Sequence, residues 1–468
     1  MMSPQGLAGL LLPLASGFVL TGIFLPQVDR WLRLSLGLGL GLGLFSWLYV
    51  LHLLLSGPSR GSLILWDGGA LTILLLAAAV TRRPALAYRQ EGAGDVELPR
   101  PTQICLRTGF FVSLVSGLGA LVLIPVLLPS GGWDAWAIWN MKARFFFGGR
   151  VHWADGFSPY LWPDHHPEYP PLLPASVARW WTYVGSDVTT VPVVIALLFT
   201  FATIILLFSS LSALRGRSQA MLAVMVLLSA RTFIFLGAYQ YADMPLAFYI
   251  LACLVLLCLQ ERHPSDSRVS LLAALAAGLA ASTKNEGLLF VVAVTVVRVV
   301  ELFRTSGRRS DLGPVTTFIA TAWAVVTLSL IFKSLHGPSY DLFTGRSAAE
   351  IIEKVTDAGR YLFILKSFLV IGVEILPVVL LLALYPLYLG WDTDRGISGG
   401  VFTAAMTLCL MLIGYYLVYL ITPYNLDWHI SASLSRLYIQ LWPGFLFVYF
   451  MVVKTPEAAE SEKQRVAA

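Results

Sequence analysis

Residues 188–213 read VTTVPVVIALLFTFATIILLFSSLSA, a run without one charged side chain. About 20 apolar residues in a helix cross the hydrocarbon core of a bilayer, so this run reads as a membrane span. Arg215 and Arg217 close it on one side, and a long polar stretch, 129–187, leads into it on the other. The same pattern repeats outward. Toward the N-terminus lie apolar runs at 7–25, 34–55, 62–80 and 108–128. Toward the C-terminus lie 218–238, 244–260, a broken stretch at 269–303, then 313–334, 363–388, 400–421 and 438–453. Only 13% of the 468 residues are charged, against about 25% in an ordinary soluble domain, and mean hydropathy is +0.74. The chain reads as an all-α, polytopic transmembrane helical bundle.

Orientation follows from the short basic loops. The 81–107 loop carries Arg82, Arg83, Arg89, Arg100 and Arg107 and is placed in the cytoplasm. Alternation then puts Arg30 and Arg33, Arg215 and Arg217, Arg262 and Arg268, and Arg304, Arg308 and Arg309 on that same side. The stretch 269–303 is flanked by cytoplasmic loops and must cross an even number of times. Its centre, Ser282-Thr283-Lys284-Asn285-Glu286-Gly287, is too polar for a lipid-facing helix, which predicts a hairpin of two short helices with a polar tip in a cavity. The count is then about 13 spans, with the N-terminus outside. The first run has no basic residue before it, which reads as a span and not a cleaved leader. The alternating Leu36–Gly43 stretch contains overlapping G-x-x-x-G pairs, a signature of close helix packing. The net charge of +5 is scattered through loops and forms no nucleic-acid stripe, and the four cysteines suggest no disulfide framework.

Four polar segments fall on the outer face: 129–187, Tyr239–Asp243, the Lys284–Glu286 tip and Tyr424–Arg436. They come from distant parts of the chain, which points to one site there. In Gly132-Trp133-Asp134-Ala135-Trp136-Ala137-Ile138-Trp139, the tryptophans suit interfacial helix, and Asp134 is either a first-turn acid or a carboxylate beside apolar rings able to act as general base. The Trp162-Pro163-Asp164-His165-His166-Pro167-Glu168-Tyr169-Pro170-Pro171-Leu172-Leu173-Pro174 segment reads as a stiff loop shaping a substrate groove. Its adjacent histidines lack a third His or Cys at ligand spacing, so no metal site is expected. Asp243 precedes Pro245 and is either a helix cap or a holder of substrate hydroxyls or a basic partner. Lys284 beside Glu286 suits an anion ligand or a partner for an acid. His429, Arg436 and the serines between them can donate hydrogen bonds to phosphate oxygens. No Walker loop or dinucleotide glycine fingerprint is present, and no cofactor is expected.

Taken in order, several motifs resemble the GT-C superfamily of polytopic glycosyltransferases that use lipid-linked sugars. The chain looks closest to the bacterial branch related to the protein mannosyltransferases and the lipid A aminoarabinose transferases. The carriers are Trp133-Asp134-Ala135-Trp136 with Lys142-Ala143, His166-Pro167-Glu168-Tyr169-Pro170-Pro171, Tyr241-Ala242-Asp243-Met244-Pro245, Thr283-Lys284-Asn285-Glu286-Gly287, and Trp428-His429 through Arg436. The resemblance implies a sugar donor on a polyprenyl monophosphate, a glycan, lipid or protein acceptor, and inverting transfer at the outer face of a bacterial inner membrane, facing the periplasm or exterior. It implies Asp134 as base and Lys284, His429 and Arg436 as the residues that bind the donor phosphate. Lys142, His166, Glu168, Tyr169, Tyr241, Asp243 and Glu286 are implied in substrate binding. It also implies a GT-C-like catalytic transmembrane domain over 108–453, preceded by helices added in 1–107 and followed by a cytoplasmic tail, 454–468. A transporter or flippase of a lipid-linked or anionic substrate, and a polysaccharide polymerase or ligase, remain the alternatives.

Overall fold

The computed structural model describes residues 3–81, 97–161, 165–262, 266–304, 309–337, 347–374, 376–392 and 398–467. Arg82, Arg83, Arg89 and Arg308, and the Trp162-Pro163-Asp164 start of the proline-rich motif, lie outside them. The helices are α1 (Pro4–Phe24), α2 (Arg30–Ser56), α3 (Arg60–Val80), α4 (Arg100–Leu127), α5 (Asn140–Gly148), α6 (Leu172–Val184), α7 (Thr190–Leu214), α8 (Arg217–Ser229), α9 (Arg231–Ala238) and α10 (Asp243–Gln260). They continue as α11 (Ser267–Ala281), α12 (Asn285–Arg304), α13 (Arg309–His336), α14 (Ala348–Thr356), α15 (Ala358–Glu374), α16 (Leu376–Leu389), α17 (Gly399–Ile421), α18 (Leu426–Val452) and α19 (Pro456–Ala467). No strand forms among the described residues beyond an isolated bridge, Trp391 to Val453, and the fold is all-α.

Eight of these helices are long and apolar enough to cross a bilayer, and the bent pair α8–α9 makes a possible ninth. The sequence count of about 13 also takes in α11, α12, the α15–α16 region and α18. Two runs differ from their sequence reading. The 218–238 run bends by 75° between α8 and α9, where Arg231 interrupts it and Ala230 turns extended. α18 starts at Leu426, well before the apolar run at 438, because Asn425 caps it by accepting from the Trp428 N–H.

α10 is the axis of the bundle: every residue from Asp243 to Gln260 is buried, with α2, α7, α11, α17 and α18 around it. The Leu–Gly repeat in α2 explains how α2 approaches. Its glycines divide into two faces by i, i+4 spacing. A Cβ on Gly41 would sit 2.0 Å from the Pro13 carbonyl oxygen of α1, and one on Gly39 would sit 1.9 Å from the Phe248 ring of α10. The backbone contact is sealed by the Tyr249 hydroxyl, which donates to the Gly39 carbonyl at 2.8 Å. α2 is therefore wedged between two helices at a separation that only glycine permits.

The two ends of the bundle sort as alternation requires. At one end, Arg60 donates to Gln5 and to the Thr182 carbonyl. At the other, Arg215 pairs with Asp392 at 2.6 Å and donates to the Val453 carbonyl. The 269–303 hairpin is present, and its tip is buried: Ser282 and Thr283 are inaccessible and Lys284 nearly so. Ser282 takes a hydrogen bond from the Trp47 indole and shares one with Ser329, while its carbonyl accepts from the Leu172 N–H. The polar tip is thus satisfied by protein on three sides, as lipid depth demands. The segment 129–187 folds into a π-helical turn over Ala135–Trp139, α5, a 3-10 stretch over Arg150–Phe157, and α6. Leu172-Leu173-Pro174, expected in the stiff loop, instead opens α6. Pro174 sits in its first turn, where an N–H has no helical partner to lose.

Replacing Gly41 by Leu is expected to lower stability by about 1–3 kcal/mol or more. The check is a melting curve in detergent against Gly119→Ala, where an added Cβ meets nothing within 4 Å. Melting of Gly41→Leu at the control temperature would contradict the packing.

Candidate active site

The site is built on charges that low-dielectric surroundings force together. Asp243 opens α10 and is wholly buried. It makes no cap hydrogen bond. Its carboxylate instead accepts from Arg436 Nη2 at 2.8 Å, Lys284 Nζ at 3.2 Å and Gln440 Nε2 at 2.7 Å. Lys284, on the hairpin tip, also pairs with Glu286 at 2.9 Å. Gly287 allows this tip, since a Cβ there would lie 1.9 Å from the Ala280 carbonyl. Arg436 reaches from α18 to a second acid: the same Nη2 lies 2.6 Å from Asp134. Its guanidinium rests over the Tyr241 ring, 4.8 Å from the centroid. Thus Asp134, Tyr241, Asp243, Lys284, Glu286 and Arg436 form one network, with Asp134 at the start of the π-helical turn.

The outer loop is stitched to the α9–α10 corner. The Gly132 N–H donates to the Tyr239 carbonyl, and the Asp134 N–H to the Tyr241 hydroxyl at 3.3 Å. Asn140 donates to Gln240, which donates to the Pro129 carbonyl. Gln240 carries φ +63 and His166 φ +50, left-handed conformations that cost non-glycine residues of order 1–3 kcal/mol and persist where surroundings hold them. Burial, then the nearby Asp134 carboxylate, pushes the Tyr241 hydroxyl up to about 12, so it stays a neutral hydrogen-bonding group.

Lys142, His166, Glu168 and Tyr169 form an adjoining second cluster. Trp139 stacks on Tyr169 with centroids 5.2 Å apart, and the His166 ring stacks on the same Tyr169 at 4.7 Å. Trp139 is therefore buried in the site, not spread in the interface with Trp133 and Trp136, which stay exposed. Glu168 pairs with His166 Nδ1 at 3.1 Å. Burial raises its carboxyl, but the His166 hydrogen bond and the charges of His166 and Lys142 outweigh that, and the net shift is downward. Lys142 lies under the rings of Phe157 and Tyr169 and donates to the His166 carbonyl. It supports the loop from beneath. Burial lowers its ammonium to about 7, against the pull of Glu168 and with a push from Lys333. Tyr169 links the clusters, with Lys284 Nζ 5.8 Å from its centroid.

His429 faces the same region but bonds to Thr422 at 2.8 Å and packs on Tyr419 and Tyr424. Sequence reasoning missed Gln440, Tyr415 and Lys333. Tyr415 donates to Gln440 Oε1 at 2.8 Å and so fixes the amide that holds Asp243. Lys333 donates to Asn285 at 2.7 Å, beside the hairpin tip. A signal for Gln440 was present: His429, Ser433, Arg436 and Gln440 follow 4-3-4 spacing, one polar stripe on α18. Among the described residues no group of three His, Cys, Asp or Glu side chains is placed to hold a metal.

Residues 167–334 match the family model for dolichyl-phosphate-mannose-protein mannosyltransferase. Over these residues, about a third of the chain, the sequence is similar to that glycosyltransferase family. The matched segment contains Glu168, Tyr169, Tyr241, Asp243, Lys284 and Glu286, while Asp134, Lys142, His166, His429 and Arg436 lie outside it. No curated protein and no solved structure gives a significant match to the chain.

The Lys142 environment has a pH signature. In the unfolded chain its ammonium titrates near 10.5, in the folded chain near 7. The unfolded state therefore binds more protons between those values, and stability gains as pH rises through that window. Melting temperatures of wild type and Lys142→Met from pH 7 to 9 check this. The difference should move steadily in favour of wild type, and a pH-independent difference would contradict a charged-when-unfolded, neutral-when-folded Lys142.

Proposed function

We propose that this chain is an integral membrane glycosyltransferase that moves a sugar from a polyprenyl-phosphate donor to an acceptor hydroxyl with inversion. The observation that carries the reading is the pairing of a carboxylate with a phosphate-type cation: Asp134 lies 2.6 Å from Arg436, and Lys284 shares the Asp243 anchor. An inverting transfer needs a base on one face of the sugar and an anion seat toward the other, and groups of both kinds border this network. The mannosyltransferase match over 167–334 supports the same class.

In this scheme the acceptor oxygen attacks the anomeric carbon from the face opposite the phosphate. The carbon–oxygen bond to phosphate breaks, and its electron pair leaves with polyprenyl phosphate. The acceptor proton goes to the Asp134 carboxylate. The leaving phosphate is already anionic, so it needs fixed cations and not a general acid. Arg436 and Lys284 supply them, with His429 at the edge. With those cations on the phosphate the scheme requires no metal. Tyr169, stacked on Trp139 and His166, shapes the sugar groove, and Glu168, His166, Tyr241 and Glu286 offer hydrogen-bonding partners for the sugar hydroxyls. Lys142 acts beneath them, holding the loop. The basic end, with Arg215, Arg262 and Arg304, is taken as cytoplasmic. That orientation faces the site toward the periplasm or exterior of a bacterial inner membrane.

The test is purified protein in nanodiscs, a panel of polyprenyl-phosphate sugars, and mass spectrometry of free polyprenyl phosphate. Wild type should release it from one donor, and Asp134→Asn should be slower by about 10²–10⁴. Equal release by both would remove Asp134 from the chemistry. Movement of donor across the membrane without release would favour a transporter.

A further inference from the structure

We infer that Arg436 restrains Asp134 until the donor phosphate arrives, so that binding of the lipid phosphate itself releases the base. The inference rests on the glycosyltransferase reading and concerns how that site is switched. Asp134 and Asp243 together use both hydrogens of one nitrogen, Arg436 Nη2, at 2.6 and 2.8 Å, so a phosphate that takes Nη2 must displace one of them. The two acids are not equally held. Asp243 is fully buried and keeps Lys284 and Gln440 if Arg436 is shared with an anion. The Asp134 carboxylate is partly exposed, and Arg436 is its ion-pair partner among the described residues.

Three further features favour exchange at Asp134. The Nε of Arg436 is buried with no hydrogen-bond partner among the described residues, so the guanidinium has a donor unspent. A phosphate has acceptor oxygens enough to take both Nε and an Nη in the bidentate manner that Arg prefers. The Tyr241 ring under the guanidinium and the Asp243 anchor keep Arg436 in place during the exchange. The backbone of Asp134 stays fixed as well, because its N–H donates to the Tyr241 hydroxyl. Only the carboxylate is set free, to turn toward the acceptor hydroxyl. A free base is thereby coupled to a loaded site.

Charge supports the same order of events. Asp134, Asp243 and Glu286 face Lys284 and Arg436, so the network carries one more negative charge than positive. A phosphate entering it would meet repulsion unless a carboxylate moves away from its cation. Asp134 is the acid with the fewest ties.

The experiment has two readouts on the full-length protein in nanodiscs, with farnesyl monophosphate as the probe. The first is affinity, by native mass spectrometry. Asp134→Asn removes the competitor and should bind the probe at least 5-fold more tightly than wild type. Equal or weaker binding overturns the exchange. The second is an electron cryo-microscopy structure of wild type with the probe bound. The expected result is a phosphate oxygen on Arg436 with the Asp134 carboxylate beyond hydrogen-bond reach and Asp243 still paired. Phosphate bound to Arg436 with both acids still on Nη2 overturns the exchange but leaves the donor site standing. Phosphate absent from Arg436 and Lys284 altogether overturns the donor site and the exchange with it.

Discussion

The structure depends on the cost of burying Asp243. A carboxylate at the head of a helix that has no exposed residue must be paired, because an isolated charge in such surroundings costs several kcal/mol after relaxation. Its partners come from three other places: the tip of the α11–α12 hairpin, one turn of α18, and the next turn of α18. Satisfying one acid therefore fixes the hairpin tip and the polar stripe of α18 against α10. Arg436 then extends the constraint to the outer loop through Asp134. Breaking such a pair by removing one partner is typically worth about 3–5 kcal/mol. The same network that gathers the candidate catalytic groups thus holds the outer end of the bundle together.

A second buried pair holds the N-terminal helices to this frame. Asp67 of α3 meets Arg179 of α6 at 2.5 Å and accepts from the Tyr183 hydroxyl, and Arg179 also donates to the Gly9 carbonyl of α1. α6 belongs to the outer segment that carries Asp134 and Tyr169. The first three helices therefore act on the site through α6, although none contributes a residue to the charged network. The contact of α1 and α2 through glycines completes the brace, since α2 also touches α10 directly.

Much of this was legible in the sequence because lipid permits few solutions. Long uncharged runs must be helices, and basic loops must alternate, so the all-α class and the gathering of Asp134, Asp243, Lys284, Glu286 and Arg436 at one end followed from spacing alone. The hairpin at 282–287 was legible for the same reason: a Lys and a Glu at that depth have to turn inward. What was hidden depends on side chains meeting at a distance in the chain. Hydropathy could not say that Asp243 binds cations and not its own helix start, nor that Gln440 and Tyr415 complete its shell. Trp139 was read as interfacial because its neighbours Trp133 and Trp136 are. The π-helical turn carries it inward onto Tyr169, and local pattern gives no sign of that. The bend at Ala230 and the early start of α18 were missed because hydropathy reports apolar length, not backbone direction or capping.

The central claim is that Arg436 and Lys284 form the seat of a lipid-linked phosphate. The most direct measurement is native mass spectrometry of the protein titrated with a long-chain polyprenyl monophosphate, comparing wild type with the Arg436→Gln/Lys284→Met double variant, each checked for folding by its melting curve. The account predicts one tightly bound lipid phosphate on wild type and affinity at least 10-fold weaker in a folded double variant. Unchanged affinity in the folded double variant would contradict it.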